Sequence, residues 1–221
     1  RDARVVLDHV ERRRQVESGL ALIRASHGSA NGRPALVEEV ADLVEWPHVQ
    51  EAGFDERFLD LPRAVLEAAM TGHQRYFPLE NADGELVARF AFVSNRGAEQ
   101  ADLVREGNER VLAARLHDAS FFFHQDLKRK LRDFASELDG VVFQEKLGSY
   151  RDKVERLKRL GRWIATQAFG EEVSPQHVED ACELSKADLL TEMVGEFPEL
   201  QGVVGREYAT RNGEAPEVAG A

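Results

Sequence analysis

The sequence predicts an α+β protein in which a mixed α/β N-terminal part is followed by an all-helical C-terminal part. Between residues 74 and 93, two strand-like stretches flank a turn. From Arg105 onward, apolar residues recur at the three- and four-residue spacings of helices. Strand periodicity gives way to helix between residues 98 and 106, so we expect domains at 1–104 and 105–221.

Three helices are predicted in the N-terminal part, after a short strand-like run at residues 5–7. The first covers residues 12–25, and a loop at 28–34 follows it. Pro34 opens the second, because a first helical turn does not need the N–H that proline lacks. Pro47 ends the second helix, and Pro62 starts the third. Their apolar stripes are Val16, Leu20 and Ile23; Leu36, Val37, Val40, Leu43 and Val44; and Val65, Leu66, Ala69 and Met70.

A β-hairpin is predicted next. Gln74–Leu79 and Leu86–Val93 are strand-like, and Asn81–Gly84 between them has the composition of a turn. In the second strand, Phe90 and Phe92 are expected on one face, with Arg89 and Ala91 on the other.

The C-terminal part is predicted to consist of helices, interrupted by a short apolar run at residues 141–143. One helix extends from Tyr150 to Ala168, and another opens at Ser174-Pro175, a cap followed by proline in the first turn. Pro198 closes a later short segment. The expected apolar positions are Val111, Leu112, Leu116, Ala119, Phe122 and Phe123; Tyr150, Val154, Leu157, Gly161, Ile164 and Ala168; and Val178, Ala181, Leu184 and Leu189.

The charge is distributed unevenly along the chain. The formal net charge is −11, which argues against a general nucleic-acid binder. Residues 105–162 nevertheless carry 14 basic and 10 acidic side chains, between acidic segments on both sides. This pattern is typical either of a localised contact with a polyanion or of an ordinary solvated helical surface.

The absence of an apolar signal core and the single cysteine are typical of a protein in a reducing compartment. The sequence starts Arg1-Asp2 without an initiator Met or an apolar signal core, and we expect an internal part of a longer cytoplasmic protein with no membrane segment. Cys182 is the only cysteine, which excludes an intrachain disulfide and a four-cysteine zinc site. Its place in a helix pattern favours an inert buried thiol over a nucleophile.

Motifs for catalysis are weak. There is no phosphate-binding glycine-rich signature and no nucleophile elbow. The His117-Asp118 doublet points in two directions on a helix, so packing or surface roles are favoured over metal binding. His73-Gln74-Arg75 is either a recognition loop or a cap that bonds helix-end carbonyls. Phe121-Phe122-Phe123 is either a stacking platform for bases or, more in keeping with the helix period, core.

Longer strings resemble the bacterial glycyl-tRNA synthetase β subunit in order and spacing. They extend from about residue 45 to the end of the chain, well beyond a short-motif match. The strings are GFDERFL (53–59), HQRYF (73–77), GNERVL (107–112), FFF (121–123), VFQEKLG (142–148), DKVER (152–156) and KADLLTEMVGEFPELQG (186–202).

The resemblance implies a role in a ligase. Enzymes of that family are α2β2 tetramers whose α subunit uses ATP and Mg²⁺ to activate glycine, while the β subunit binds tRNA. Residues 1–104 would belong to a B3/B4-like tRNA-binding module, similar to modules of the phenylalanyl enzyme's large subunit. Residues 105–221 would form an HD-like helical domain. The implied partners are glycine tRNA, the α subunit and a second β subunit, with no cofactor bound by this chain.

The resemblance also implies a degenerate metal site. HD phosphohydrolases bind metal through a His-Asp doublet, and the equivalent position here is Ala187-Asp188, expected on the helix after Ser174-Pro175. Because the histidine is missing, an inactive scaffold without catalytic or metal-binding residues is implied. His117-Asp118 lies in another block and does not replace the doublet.

Phosphate contacts are expected from the basic segment, and base recognition from polar loops and aromatic residues. Two alternatives stay open, an HD-type metal phosphohydrolase and an assembly scaffold that does not touch RNA. The candidate tRNA-binding residues are Arg110, Arg115, Lys128, Arg129, Lys130, Lys146, Arg151, Lys158 and Arg162, together with His73, Gln74 and Arg75.

Overall fold

The computed structural model describes residues 5–27, 33–170 and 172–221, and these form two compact units, 1–120 and 121–221. The division between the units falls within a long helix, α4, Ala101–Asp126. The predicted limit between residues 104 and 105 lies in the same helix. The assignment of a B3/B4-like module and an HD-like domain to its two sides stays a prediction.

The first unit is built on a three-stranded antiparallel sheet with the order β1-β3-β2. Its strands are β1, His48–Gly53; β2, Phe77–Glu80; and β3, Leu86–Ser94. The other helices of this unit are α1, His9–His27; α2, Pro34–Leu43; and α3, Arg63–Thr71. The predicted hairpin and three helices are therefore confirmed, and short 3-10 turns lie at Glu56–Asp60 and Ala98–Gln100. The loop predicted at 28–34 falls mostly outside the described residues.

Two strand predictions were wrong in this unit. Residues 5–7 form no strand, because Arg12 fixes them by donating to the carbonyls of Val6 and Leu7 at 2.9 and 3.0 Å. Gln74, Arg75 and Tyr76 precede β2 rather than belonging to it. Conversely, β1 is a strand that was not predicted from the sequence. Its residues pair with β3 from His48 opposite Ser94 to Gly53 opposite Arg89.

The core of the first unit lies on both faces of the sheet. On one face, the apolar positions of α1 and most of those of α2 pack with Phe77, Leu79 and Ala91, whereas Leu43, which was predicted to belong to the stripe, is exposed. On the other, Tyr76 stacks on Phe90 with ring centroids 4.6 Å apart. All four predicted apolar positions of α3 are buried, and α3 packs beside β2.

The second unit is mainly helical but not entirely so. Its longer helices are α6, Tyr150–Ile164; α7, Pro175–Leu184; and α9, Val203–Arg211. A small antiparallel pair, β4, Val142–Gln144, with β5, Gly148–Ser149, corrects the prediction of an all-helical part. The short helices are α5, Leu131–Ala135; α8, Glu192–Glu196; and α10, Pro216–Ala219, with single 3-10 turns at Leu138–Gly140, Ala187–Leu190 and Pro198–Leu200.

Several predicted core positions differ from the structure. Val111 and Ile164 are exposed, because the neighbouring elements cover only one side of their helices, and Ala168, which follows α6, is exposed as well. After Ile164 the chain continues as a π-helical turn, Ala165–Phe169, which buries Ala165 instead. Leu189 lies beyond α7, in the following 3-10 turn. Pro198 follows the end of α8, and the Ser174-Pro175 start of α7 is confirmed.

A buried carboxylate ties the second unit together. Asp126 accepts hydrogen bonds from the backbone N–H groups of Glu192 and Met193, both at 3.0 Å, and from the hydroxyl of Tyr208 at 2.9 Å. Burial, with the carboxylate beside it, raises the pKa of Tyr208. Asp126 is thus a structural hydrogen-bond acceptor. None of the described helices has the length and hydropathy of a membrane span.

Candidate nucleic-acid interface

Helix α6 carries three of the nine predicted phosphate contacts, and its first turn is fixed by a capping box. Ser149 Oγ accepts from the N–H of Asp152 at 3.2 Å, and Asp152 Oδ2 accepts from the N–H of Ser149 at 2.8 Å. These bonds from the Ser149 backbone and hydroxyl lower the pKa of Asp152. The carboxylate of Asp152 therefore serves the helix start.

One flank of α6 faces acidic residues of α7. Glu183 accepts from Arg151 and, at 2.7 Å, from Lys158 Nζ, while Arg162 donates to Glu179. Burial alone would raise the pKa of Glu183, but the hydrogen bonds from Lys158 and Arg151 outweigh it and the pKa is lowered. Glu183 is therefore ionised at neutral pH and offsets the charge of these cations.

Arg151, Lys158 and Arg162, all predicted phosphate contacts, share this flank, and the sequence did not reveal their partners on α7. All three are held in ion pairs with α7, so a phosphate would have to compete with carboxylates already in place. The contact of these residues with RNA stays a prediction. Their observed role is to join two helices.

The opposite side of α6 presents a different set of cations to solvent. This outward face consists of the half-buried Lys153 and the exposed Arg156, Arg159, Leu160 and Trp163, which fall within an arc of about 120° at ~100° per residue. Arg156 bonds the carbonyl of Leu147 at 3.0 Å and is otherwise exposed. Lys153 Nζ lies 4.1 Å from the centroid of the Phe143 ring.

Arg159 differs from the cations of the α7 flank. It is exposed, and within the described parts of the chain no hydrogen bond or ion pair engages its guanidinium. The indole of Trp163, one turn further along, is 63% exposed. The outward face was not predicted. The helical period that gives the apolar positions of α6 nevertheless places these residues away from its packed side.

The remaining predicted phosphate contacts lie on three other elements. Arg129 is paired with Glu137 and lies over the Phe134 ring, and Lys128 bonds Gln125 at 2.6 Å. Lys130 and Lys146 are exposed, Lys146 in the turn between β4 and β5. In the first unit, Arg110 is exposed on α4, and Arg115 is partly buried with interactions of its own.

The His73-Gln74-Arg75 segment is organised by its arginine. Arg75 Nη1 donates to the carbonyls of Gly72 at 2.7 Å and His73 at 3.0 Å, and Arg75 Nε donates to Glu39 at 2.8 Å. The capping alternative thus holds for Arg75 rather than for His73 or Gln74. His73 is exposed, and its contact with RNA stays a prediction, as does that of Gln74.

The degenerate HD position lies outside the helix where it was expected. Ala187 and Asp188 belong to the 3-10 turn after α7, not to α7 itself. Both are buried, and Asp188 Oδ2 accepts from the N–H of Gly202. Burial raises the pKa of Asp188, although hydrogen bonds from the Gly202 and Gly205 backbone oppose the effect. Its role in the described structure is to bind the start of α9.

The two other candidate reactive side chains, His117 and Cys182, lie in surroundings that give them structural rather than catalytic roles. His117 packs edge-on against Phe58 and lies within hydrogen-bonding distance, 2.8 Å, of Arg57. Burial raises the pKa of the Cys182 thiol, which keeps it from acting as a thiolate at neutral pH. Within residues 5–27, 33–170 and 172–221, no three His, Cys, Asp or Glu side chains are grouped so as to hold a metal ion.

The Phe121-Phe122-Phe123 run is split between core and surface. Phe123 is buried and stacks on Tyr208 with centroids 5.5 Å apart, as the core interpretation expects. Phe121 is 56% exposed and meets Phe122 edge-on. The run is therefore not a continuous stacking platform.

Comparison with known proteins identifies the family. A family model described as "Glycyl-tRNA synthetase beta subunit" matches residues 1–221. Proteins named glycine--tRNA ligase beta subunit are similar along nearly the whole chain. The one from Desulforudis audaxviator is 48% identical over 216 residues, 97% of this chain and 31% of that protein.

Two further relatives show the same extent of similarity. The Neisseria meningitidis serogroup A protein is 44% identical over 217 residues, 98% of this chain, and that of Pseudomonas fluorescens 46% over 220 residues, 99% of this chain. The matches cover 31% and 32% of those two relatives, so this chain spans about a third of their length. On this evidence the chain belongs to the glycyl-tRNA synthetase β-subunit family.

Proposed function

We propose that this chain is the part of a glycine–tRNA ligase β subunit that holds tRNA through the outward face of α6. In this role it supports the ATP-dependent attachment of glycine to tRNA and contributes no catalytic group itself. Family membership supports the reaction, and the arrangement of cations on α6 supports the contact with RNA.

The proposal includes the assembly in which the chain works. Glycine tRNA is the bound substrate, and the α subunit binds ATP, Mg²⁺ and glycine. A second β subunit completes an α2β2 tetramer in the cytoplasm. The first unit would serve as a B3/B4-like module and the second as an HD-like scaffold without a metal.

One observation carries the proposal, the contrast between the two sides of α6. Cations on the α7 flank are balanced by Glu179 and Glu183, whereas Arg156 and Arg159 face solvent. RNA backbone binding depends on such unbalanced cations, which displace counterions from phosphates. A chain of net charge −11 can bind RNA only where the local charge is positive.

Steady-state aminoacylation by the assembled enzyme tests the proposal. The double substitution Arg156→Gln with Arg159→Gln should raise the KM for tRNA several-fold and leave the KM values for glycine and ATP unchanged. The control is Arg14→Gln with Arg105→Gln, two exposed arginines of the first unit. An unchanged KM for tRNA would refute the role of α6.

An assembly scaffold that never touches RNA is the second candidate. It is favoured by exposed apolar side chains near the end of α6, Leu160 at 54% and Phe169 at 50%. Loss of α-subunit association in the Arg156 and Arg159 variant, with tRNA affinity of the remaining tetramer unchanged, would support the scaffold. The hydrolase alternative has no ligand set among the described residues to support it.

A further inference from the structure

Trp163 is a large aromatic residue on the solvent-exposed side of α6. Its side chain is 63% exposed on the outward face of α6, and Leu160 beside it is 54% exposed. A buried tryptophan would remove about 150–250 Å² of surface from water, so this position forgoes a large stabilisation. In the same unit Phe123, Phe134, Phe197 and Tyr208 are buried, whereas Phe121 and Phe169 are, like Trp163, at least half exposed.

Two arginines lie in the two helical turns that precede the indole. Arg159 lies one turn before Trp163, at a spacing that brings side chains to about 5–6 Å between Cβ atoms. Arg156 lies one further turn back on nearly the same line of the helix. Two guanidinium groups thus precede an exposed aromatic plane along the helix, both on its N-terminal side.

We propose that Trp163 stacks on an unpaired nucleotide of the bound tRNA, while Arg159 and Arg156 contact the neighbouring phosphates. The inference rests on the proposed function and assigns the chemistry of its site. Aromatic side chains recognise single-stranded RNA because every base offers a π-face. A base-paired stem cannot reach the indole in this way, so the substrate class is unpaired nucleotides.

Charge decides between RNA and a protein partner at this face. Its three cations, the exposed Arg156 and Arg159 and the half-buried Lys153, are accompanied by Asp152, whose carboxylate is bound in the helix cap and also interacts electrostatically with Arg156. The nearby Glu155 is paired with Arg151 and Lys158 on the other flank. The net positive charge around an exposed indole complements a polyanion with exposed bases better than an apolar protein surface.

Affinity measurements on the assembled enzyme test the stacking. Trp163→Ala should weaken binding of glycine tRNA by about fivefold or more, since stacking of one base contributes on the order of 1–3 kcal/mol by alanine substitution. Trp163→Phe should retain most of the affinity. Neither change removes a charge, so the salt dependence should stay as in the wild type. Equal affinity of the alanine variant and the wild type would overturn the proposal.

Photo-crosslinking identifies what covers the indole. Replacement of Trp163 by p-benzoylphenylalanine should crosslink to tRNA, at a nucleotide that is unpaired. The same replacement at Leu22, which is 76% exposed on α1, is the control. A crosslink to protein alone, or to a base-paired nucleotide, would overturn the stacking. If the Arg156 and Arg159 variant still raises the KM for tRNA, the proposed function survives that result.

Discussion

Arg75 holds its backbone at φ 54°, in the left-handed region that residues other than glycine seldom adopt. The guanidinium spans Glu39 of α2 and the carbonyls of Gly72 and His73. These bonds stabilise a conformation that would otherwise be unfavourable, and they connect the end of α3 to α2. The side chain that seemed suited to RNA is therefore committed to the fold.

Substitution of Arg75 separates the strain from the hydrogen bonds. Arg75→Ala should destabilise this segment, because it removes the bonds and keeps the left-handed backbone. Arg75→Gly should be less harmful than alanine by about 1 kcal/mol, because glycine tolerates the conformation. Amide hydrogen exchange of residues 72–80 in the β subunit measures the free energy of local opening. An equal effect of the two substitutions would contradict this account.

Helices α6 and α7 are likewise held together by charged side chains that were expected to bind RNA. The helices approach closely at Gly161, where an added Cβ would lie 2.8 Å from Val178 Cγ1 and 3.3 Å from Cys182 Sγ. Glu183 then bonds Arg151 and Lys158 on one side of this contact. Charge reversal of these two cations would disturb the helix pair and would not report on RNA alone.

Glu183→Gln should lower the local stability of α6 and α7 by about 1 kcal/mol at neutral pH, since the two cations are deprived of their carboxylate. The pKa of Glu183 is lowered in the folded state, so its contribution is present above the unfolded value of about 4.3 and is lost as pH falls through the folded pKa. Hydrogen exchange of α6 and α7 peptides should show a wild-type advantage at pH 7 that shrinks below about pH 4.

The matched control for this prediction is Glu145→Gln, an exposed carboxylate in the turn between β4 and β5. It should have almost no effect at either pH. A Glu183→Gln variant whose α6 and α7 exchange as in the wild type would show that the pair contributes nothing to stability.

Local patterns predicted these elements unequally well. Proline and serine signals placed the starts of α2 and α7, because first-turn chemistry is encoded within a few residues. Strand β1 has the polar composition HVQEAG and is formed by its pairing with β3, some 40 residues later in the sequence. Helical period likewise placed Arg151 and Lys158 on one flank but could not reveal Glu183 on another helix.

At the scale of the whole molecule, an acidic chain presents a small basic surface. The segment 105–162 was expected to contact polyanions as a block, but the structure divides its cations into paired and solvent-facing groups. The sequence therefore predicted which segment carries the basic residues, but not which of these residues face solvent. Trp163 was missed because exposure depends on the elements packed around α6.

The most direct test of the central claim is the salt dependence of glycine tRNA binding to the assembled enzyme. Arg156→Gln with Arg159→Gln should reduce the magnitude of the slope of log Kd against log salt by about 1.4–1.8, because each phosphate that is no longer neutralised lowers it by about 0.7–0.9. The Arg14→Gln with Arg105→Gln control should keep the wild-type slope. A slope that is the same in all three proteins would contradict the claim that the outward face of α6 binds the RNA backbone.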